Sequence, residues 1–296
     1  MNCKEVVGFR SVVKRAGRVV RSAAAIMVAT ATLATVLVSG DVQASSGVAI
    51  PPKQPWSFLG VFGQFDQAAL KRGAQVAAQS CMACHSIKYI KFDQLRQLGF
   101  SELEVKALAE GAGRTKKDAM ISSMDPVAAK ESFGVVPPDL SLITKARKGY
   151  EDYVYGILTG YATESDMALA NRVMADGQVT AEEAKEVASA LLLDAHHPDK
   201  MAESLKRLIG GENFNRYFPG NFFAMPQPLM DGAVAYTDGT ENSKVQLSRD
   251  VVTFLAWAAE PTQMERKALG IKVILYLVVL TIMLYAVKRR LWAKVH

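Results

Sequence analysis

Between residues 66 and 261 the apolar positions recur mostly every three or four residues, and a capping residue precedes most of these recurrences. Asp66 predicts a helix running through Ser80. Ser101 and Glu104 form a capping box ahead of Val105, Leu108 and Ala109. Tyr150, Tyr153, Val154, Ile157 and Leu158 share one helical face, with Gly160 as the stop. Thr180 and Glu183 form a second box, and Ala184, Val187, Ala188, Leu191 and Leu192 make one stripe, so a helix is predicted over 180–194. Ser248 is predicted to start another helix, with Val251, Phe254, Leu255 and Ala258 on one face and Pro261 ending it. Alternation of the strand kind is confined to short pieces near Val234–Tyr236. The expected class is mainly α with long loops.

Two unbroken apolar runs lie outside this region. Ala268 to Val287 is long enough, at about 1.5 Å per residue, to cross the roughly 30 Å of a bilayer core. Lys272 is its one charge, close enough to the boundary to snorkel. Lys288, Arg289, Arg290 and Lys294 follow, a basic cluster of the kind that stays cytoplasmic, with Tyr285 and Trp292 suited to the interface. The other run, Ala23–Val38, follows six basic residues and precedes Val42-Gln43-Ala44. That order predicts a secretory signal peptide over 1–44, cleaved after Ala44; an uncleaved anchor is the alternative. Removal of Cys3 with it would leave two cysteines in the mature chain.

Charge sharpens the picture. The chain has a formal net charge of +6, but the basic excess sits at its two ends and residues 45–264 are net acidic. A nucleic-acid binder would show the reverse in its folded part. Basic ends around an acidic body suit a membrane-oriented protein whose exported part meets a basic partner, though an ordinary solvated surface would have the same balance.

The chemistry is concentrated in Cys81-Met82-Ala83-Cys84-His85. Two thiols at this spacing suit addition across the two vinyl groups of a porphyrin, with the adjacent imidazole as proximal ligand of its iron, the arrangement of a c-type haem. A thioredoxin-like dithiol needs a βαβ setting that is missing here, and a structural zinc site needs a second pair of ligands. Such a haem carries single electrons. Its sixth ligand has many candidates, because a thioether raises the potential relative to a second imidazole and the mature chain is rich in Met. Met82 lies inside the motif, and Met264 and Met283 are at or in the membrane span. Met225 stands in a loop pinned by Pro219, Pro226 and Pro228, where Phe222 and Phe223 could shield a haem edge. Periodicity does not separate it from Met230, Met120 or Met124.

These residues resemble the cytochrome c1 family, the haem subunits of quinol:cytochrome c oxidoreductase (the bc1 complex) in bacterial and related membranes. The resemblance is carried by Cys81–Ser86, Pro137-Pro-Asp-Leu-Ser141, Gly149–Val154, Leu158–Tyr161, Asn215–Gly220, Ala224–Pro226 and Thr253–Pro261, and it covers the chain from about Pro55 onwards. It implies a cytochrome c-type haem domain over 45–264, a transmembrane helix over 268–287 and a cytoplasmic tail over 288–296. It implies one covalent haem c on Cys81 and Cys84, with His85 and Met225 as axial ligands. It further implies that Arg147 and Tyr153 contact a propionate and that Pro137 and Pro138 line the pocket. The first and last soluble helices would cross.

The chain departs from the pattern between Thr163 and Asn213, where it is longer than shorter family members; the insertion spans about 164–212 and includes His196-His197, read as surface residues. The stretch from Gly111 to Gly134 also diverges. The expected function is single-electron transfer from a Rieske iron–sulfur protein to soluble cytochrome c, beside cytochrome b, with no catalysis by the subunit alone. The expected place is the bacterial inner membrane, single-pass, with the haem domain in the periplasm. A stand-alone anchored cytochrome and a haem enzyme with an open iron site are the alternatives.

Overall fold

The structure is a computed structural model and describes residues 49–194 and 197–293. Helix α1 (Gln67–Gln79) starts on Asp66, whose carboxylate accepts from the N–H groups of Ala68 and Ala69. It runs into a 3-10 turn (Cys81–Ala83), strand β1 (Ile87–Lys91) and a longer 3-10 stretch (Phe92–Leu98). Helix α2 (Glu102–Gly111) carries the expected Ser101–Glu104 box. Strand β2 (Ala119–Met120) pairs antiparallel with β1, Ile87 opposite Met120, with an irregularity in the register. Then come α3 (Pro126–Phe133), α4 (Ile143–Ala146), α5 (Tyr150–Thr159), α6 (Glu164–Val173), α7 (Ala181–Leu191), α8 (Pro198–Ile209), α9 (Lys244–Ala259) and α10 (Gln263–Trp292).

The core forms where α1 packs on α9, the crossing expected of the first and last soluble helices. Gly73 permits it: a Cβ there would stand 2.0 Å from the Asp250 carbonyl oxygen and 2.8 Å from Phe254 Cβ. Leu70, Ala74, Val76 and Ala77 of α1 are thereby buried with Val251, Phe254 and Leu255 of α9. One polar knot lies in the crossing. Asp250 has no solvent exposure, and the Arg72 guanidinium grips both its oxygens, from Nε at 2.8 Å and Nη2 at 3.1 Å. Tyr236 and Gln246 donate to the same carboxylate at 2.9 and 3.0 Å, so the buried charge is fully partnered.

A second core is built by α6, α7 and α8 with Phe214, around Ala170, Val173, Val187, Leu191 and Leu205. The stretch 164–212, expected to be an insertion, thus folds as a small three-helix module. Helix α10 is long and apolar enough to cross a membrane, and none of its side chains is buried.

Several expectations need correcting. Helix α9 starts at Ser243, whose hydroxyl accepts from the Gln246 N–H; Ser248 is buried in mid-helix. The insertion helix ends at Leu191, because Leu192 turns left-handed with φ 57°. No strand forms at Val234–Tyr236: the Val234 carbonyl accepts from Asn242 and that of Ala235 from Gln75, so side chains replace a ladder. His197, by contrast, is a surface residue as expected, 3.9 Å from Asp194. The expected signal peptide over 1–44, with Cys3, as well as His196 and Lys294, lie outside the described residues.

Candidate functional site

The Cys81–His85 motif leaves α1 in a single tight turn. The N–H groups of Cys84 and His85 both donate to the Cys81 carbonyl, at 3.1 and 2.9 Å, so two thiols and an imidazole are held within one turn. Neither sulfur has a disulfide partner. Burial pushes the Cys81 thiol up to about 12, with Cys84 adding to the effect. Met82 faces the core, as its place inside the motif suggested.

His85 Nδ1 lies 2.8 Å from the Pro138 carbonyl oxygen. A carbonyl can only accept, so Nδ1 carries the proton and Nε2 keeps its lone pair. Burial pushes the imidazole below its ordinary pKa, against the opposing pull of the Pro138 carbonyl and Asp139. A neutral ring with one nitrogen fixed by a carbonyl is the form in which histidine ligates metals.

The segment supplying that carbonyl is docked along the chain after the motif. Leu140 N–H donates to the Ser86 carbonyl at 2.8 Å, Lys88 N–H to Asp139 at 3.1 Å and Tyr89 N–H to the Ser141 hydroxyl at 3.1 Å. Pro138, lacking a donor of its own, leaves its carbonyl to His85, while Pro137 is half-buried beside it. Ser122 closes the other side, its N–H donating to the Ser86 hydroxyl and its own hydroxyl to the Ala83 carbonyl.

Met225 is half-buried in the Pro-rich loop, and that loop is fastened from two directions. Ser80, immediately before the motif, donates to the Pro228 carbonyl at 3.1 Å. Tyr161, 4% exposed, points its hydroxyl at the Met225 and Pro226 carbonyls, at 3.0 and 3.2 Å. The Tyr161 ring leans on Phe223, which stacks on Phe218. Phe222 packs differently: it lies edge-on to Phe214 beside the second core, under the Arg207 guanidinium. Of the rival methionines, Met120 is buried in the main core, Met124 follows the Ser122 turn, and Met230 is exposed.

Asn215 and Arg216 hold this loop to the rest. Asn215 is fully buried; its side chain donates to the Ile157 carbonyl and accepts from the Tyr217 N–H. Arg216 donates to the carbonyls of Tyr161 at 2.9 Å and Ala190 at 3.1 Å, and it pairs with Asp166 of the insertion. Tyr161 and Arg216 are the positioning residues that sequence reasoning did not single out, although both stand inside motifs it quoted.

Arg147 is exposed at the end of α4, and Tyr153 is half-buried one turn into α5. Burial raises the Tyr153 phenol above its usual pKa, and the Arg147 charge pulls against it. Gly149 lets the chain turn tightly into α5: it takes φ 94°, and a Cβ there would sit 3.1 Å from Tyr153 Cβ.

The donors present fit a c-type haem: free thiols at the attachment spacing, an imidazole with Nε2 available, and a restrained thioether loop tied to the same turn. A zinc reading finds no support, since no group of three or more His, Cys, Asp or Glu converges among the described residues.

The sequence profile described as the Cytochrome C1 family matches residues 56–295. Cytochrome c1 of Rhodospirillum rubrum is 38% identical over 275 residues, covering 87% of this chain and 93% of that protein. The mitochondrial cytochrome c1 heme protein of Saccharomyces cerevisiae is 33% identical over 259 residues, covering 82% and 72%. The mitochondrial cytochrome b-c1 complex catalytic subunit of Candida albicans is 32% identical over 262 residues, covering 83% and 78%.

Proposed function

The chain belongs to the cytochrome c1 family, and on that footing we propose that it is the membrane-anchored haem subunit of a bc1-type quinol:cytochrome c oxidoreductase. One haem c would be held by thioether bonds to Cys81 and Cys84, with His85 and Met225 as axial ligands. When bound, it supplies a one-electron ferric/ferrous couple.

The protein residues set the terms of that exchange. Pro138 fixes the His85 tautomer. Tyr161 and Ser80 hold the Met225 loop, which favours a closed iron site over one open to substrate. Arg147, at the end of α4, and Tyr153, in the first turns of α5, are suited to a carboxylate and are our candidates for a propionate; Pro137 and Pro138 are our candidates for a pocket wall. The observation that carries the reading is the 2.8 Å contact between His85 Nδ1 and Pro138 O, which leaves Nε2 as the ligating atom.

The electron donor would be a Rieske protein beside cytochrome b, and the acceptor a soluble cytochrome c. The insertion offers a reason for the acceptor: residues 164–212 hold ten acids and five bases, so they account for the whole net negative charge of the exported body. An acidic module fastened to the Met225 loop through Arg216 would steer a basic partner towards it, in a salt-dependent way. Export of the body and retention of Lys288, Arg289 and Arg290 inside would give a periplasmic haem domain.

The test is the reduced spectrum and carbon monoxide reactivity of the complex with and without Met225→Leu. Loss of the low-spin spectrum and gain of carbon monoxide binding support the ligand assignment, and unchanged behaviour overturns it. Co-purification with cytochrome b and Rieske subunits separates the complex from a stand-alone carrier.

A further inference from the structure

The junction between the soluble body and α10 has a feature that electron transfer does not use. The loop after Trp56 runs back along the first turns of α10 and encloses with them an open groove of about 380 Å³. Val61, Phe62 and Phe65 line one side and Met264, Ala268 and Ile271 the other. The loop is not a slack excursion. Lys267, on α10, donates to the backbone carbonyls of Phe58 at 2.6 Å and Gly63 at 3.1 Å, and Phe58 stacks on Phe65 with centroids 4.7 Å apart. The loop is thus clamped at both ends, and its tip faces outward: Phe62 is 83% exposed and Val61 63%.

Two exposed apolar side chains on a clamped loop call for an apolar cover. The position says which. Ala268 and Ile271 lie in the opening turn of the membrane-spanning run, so the groove stands where headgroups give way to acyl chains. On α10 the exposed apolar residues, Leu269, Ile274, Leu275 and Val279 among them, fall on every side of the helix. The groove is continuous with that surface, and whatever solvates the helix at this level also covers the loop.

We propose that this groove seats an outer-leaflet phospholipid, with an acyl chain between the loop and α10 and with Val61 and Phe62 inserted at the interface. The clamp through Lys267 would then fix how the haem domain stands on the membrane, because the body would touch the bilayer at the loop as well as at the helix. This rests on the reading of α10 as a membrane anchor.

The experiment places p-benzoyl-phenylalanine at Phe62 in the complex assembled in its own membrane, irradiates it and identifies the adduct by mass spectrometry. The same residue at Leu275 and at Leu277, on opposite sides of α10, reports the anchor itself. A phospholipid adduct at position 62 is the expected result. An adduct with another protein subunit, or no lipid adduct while position 275 or 277 labels lipid, overturns the groove and leaves the anchor standing. Failure at all three positions overturns the anchor. As a second readout, Phe62→Trp should give added emission that is lost in phospholipid brominated near the headgroup; added emission that survives is evidence against the seat.

Discussion

Tyr161→Phe removes one oxygen and keeps the ring. In the structure that hydroxyl is the donor shared by the carbonyls of Met225 and Pro226, at 3.0 and 3.2 Å, and it is almost fully buried. The contact of the ring with Phe223 should survive the change. A buried carbonyl left without its donor costs about 1–3 kcal/mol. That cost falls on the loop holding Met225 and not on the α1–α9 core, so the domain stays folded. If Met225 is the axial ligand, an equilibrium between attached and detached sulfur shifts towards detachment by roughly 5- to 150-fold. Three measurements read this: carbon monoxide uptake by the reduced protein rises, the midpoint potential falls because a thioether ligand is weakened, and amide exchange quickens across 222–229. A variant with normal exchange, normal potential and no carbon monoxide binding would refute the positioning role. Loss of folding at large would refute the claim that the hydroxyl acts locally.

The other predictions concern the scaffold. Gly73→Ala puts a methyl within 2.0 Å of the Asp250 carbonyl; it should cost about 3 kcal/mol or more and lower the unfolding temperature of the full-length protein, and an unchanged temperature would contradict the close crossing. Arg72→Leu strands the fully buried Asp250 carboxylate and should destabilise by about 3–5 kcal/mol, with Asp250→Asn restoring part of the loss in a double variant, read by denaturant titration. Acid should loosen the contact between the three-helix module and Arg216. Burial pushes Asp166 up, but hydrogen bonds from Thr163 and Arg216 outweigh it and hold the carboxyl below its ordinary 3.8. Stability from such a group is complete above that value and is lost as the pH falls through the lower folded value, so exchange across 164–173 should rise over that window in the wild type; a variant with Asp166→Asn that keeps the same acid response would refute it.

The helices were legible where caps and apolar spacing agree, as at Asp66, Ser101 and Thr180. They were not legible where two caps compete. Ser243 and Ser248 both offer a hydroxyl, and the choice is made by burial: Asp250 must reach Arg72 from within the helix, which places Ser248 inside it too. The β1–β2 ladder escaped notice because β2 has only two residues, too few to show alternation. Val234–Tyr236 misled in the opposite sense, since its apolar residues pack a loop onto the core. The helices α6 and α8 were missed on either side of the box that was seen. At the site, the Cys81–His85 turn announces itself because spacing is its chemistry. Tyr161 does not, because a tyrosine between Gly160 and Ala162 carries no local sign that its hydroxyl will meet a carbonyl 64 residues on.

That distance in sequence is filled by the three-helix module. It enters after Tyr161 and leaves before Asn215, and these two residues face each other across an isolated bridge. Its ends are therefore held together by that bridge, and the length of chain between them costs little closure entropy. Arg216 then serves both sides at once, donating to the Tyr161 carbonyl and pairing with Asp166. The acidic module and the Met225 loop thus share one side chain. Cutting the module's ion pair with Asp166→Asn would leave the Arg216 guanidinium in place on its carbonyls, so the loop should keep its register while the module frays. Replacing Arg216 itself should disturb both. Amide exchange on the two variants separates a module that only decorates the surface from one that is built into the support of the ligand loop.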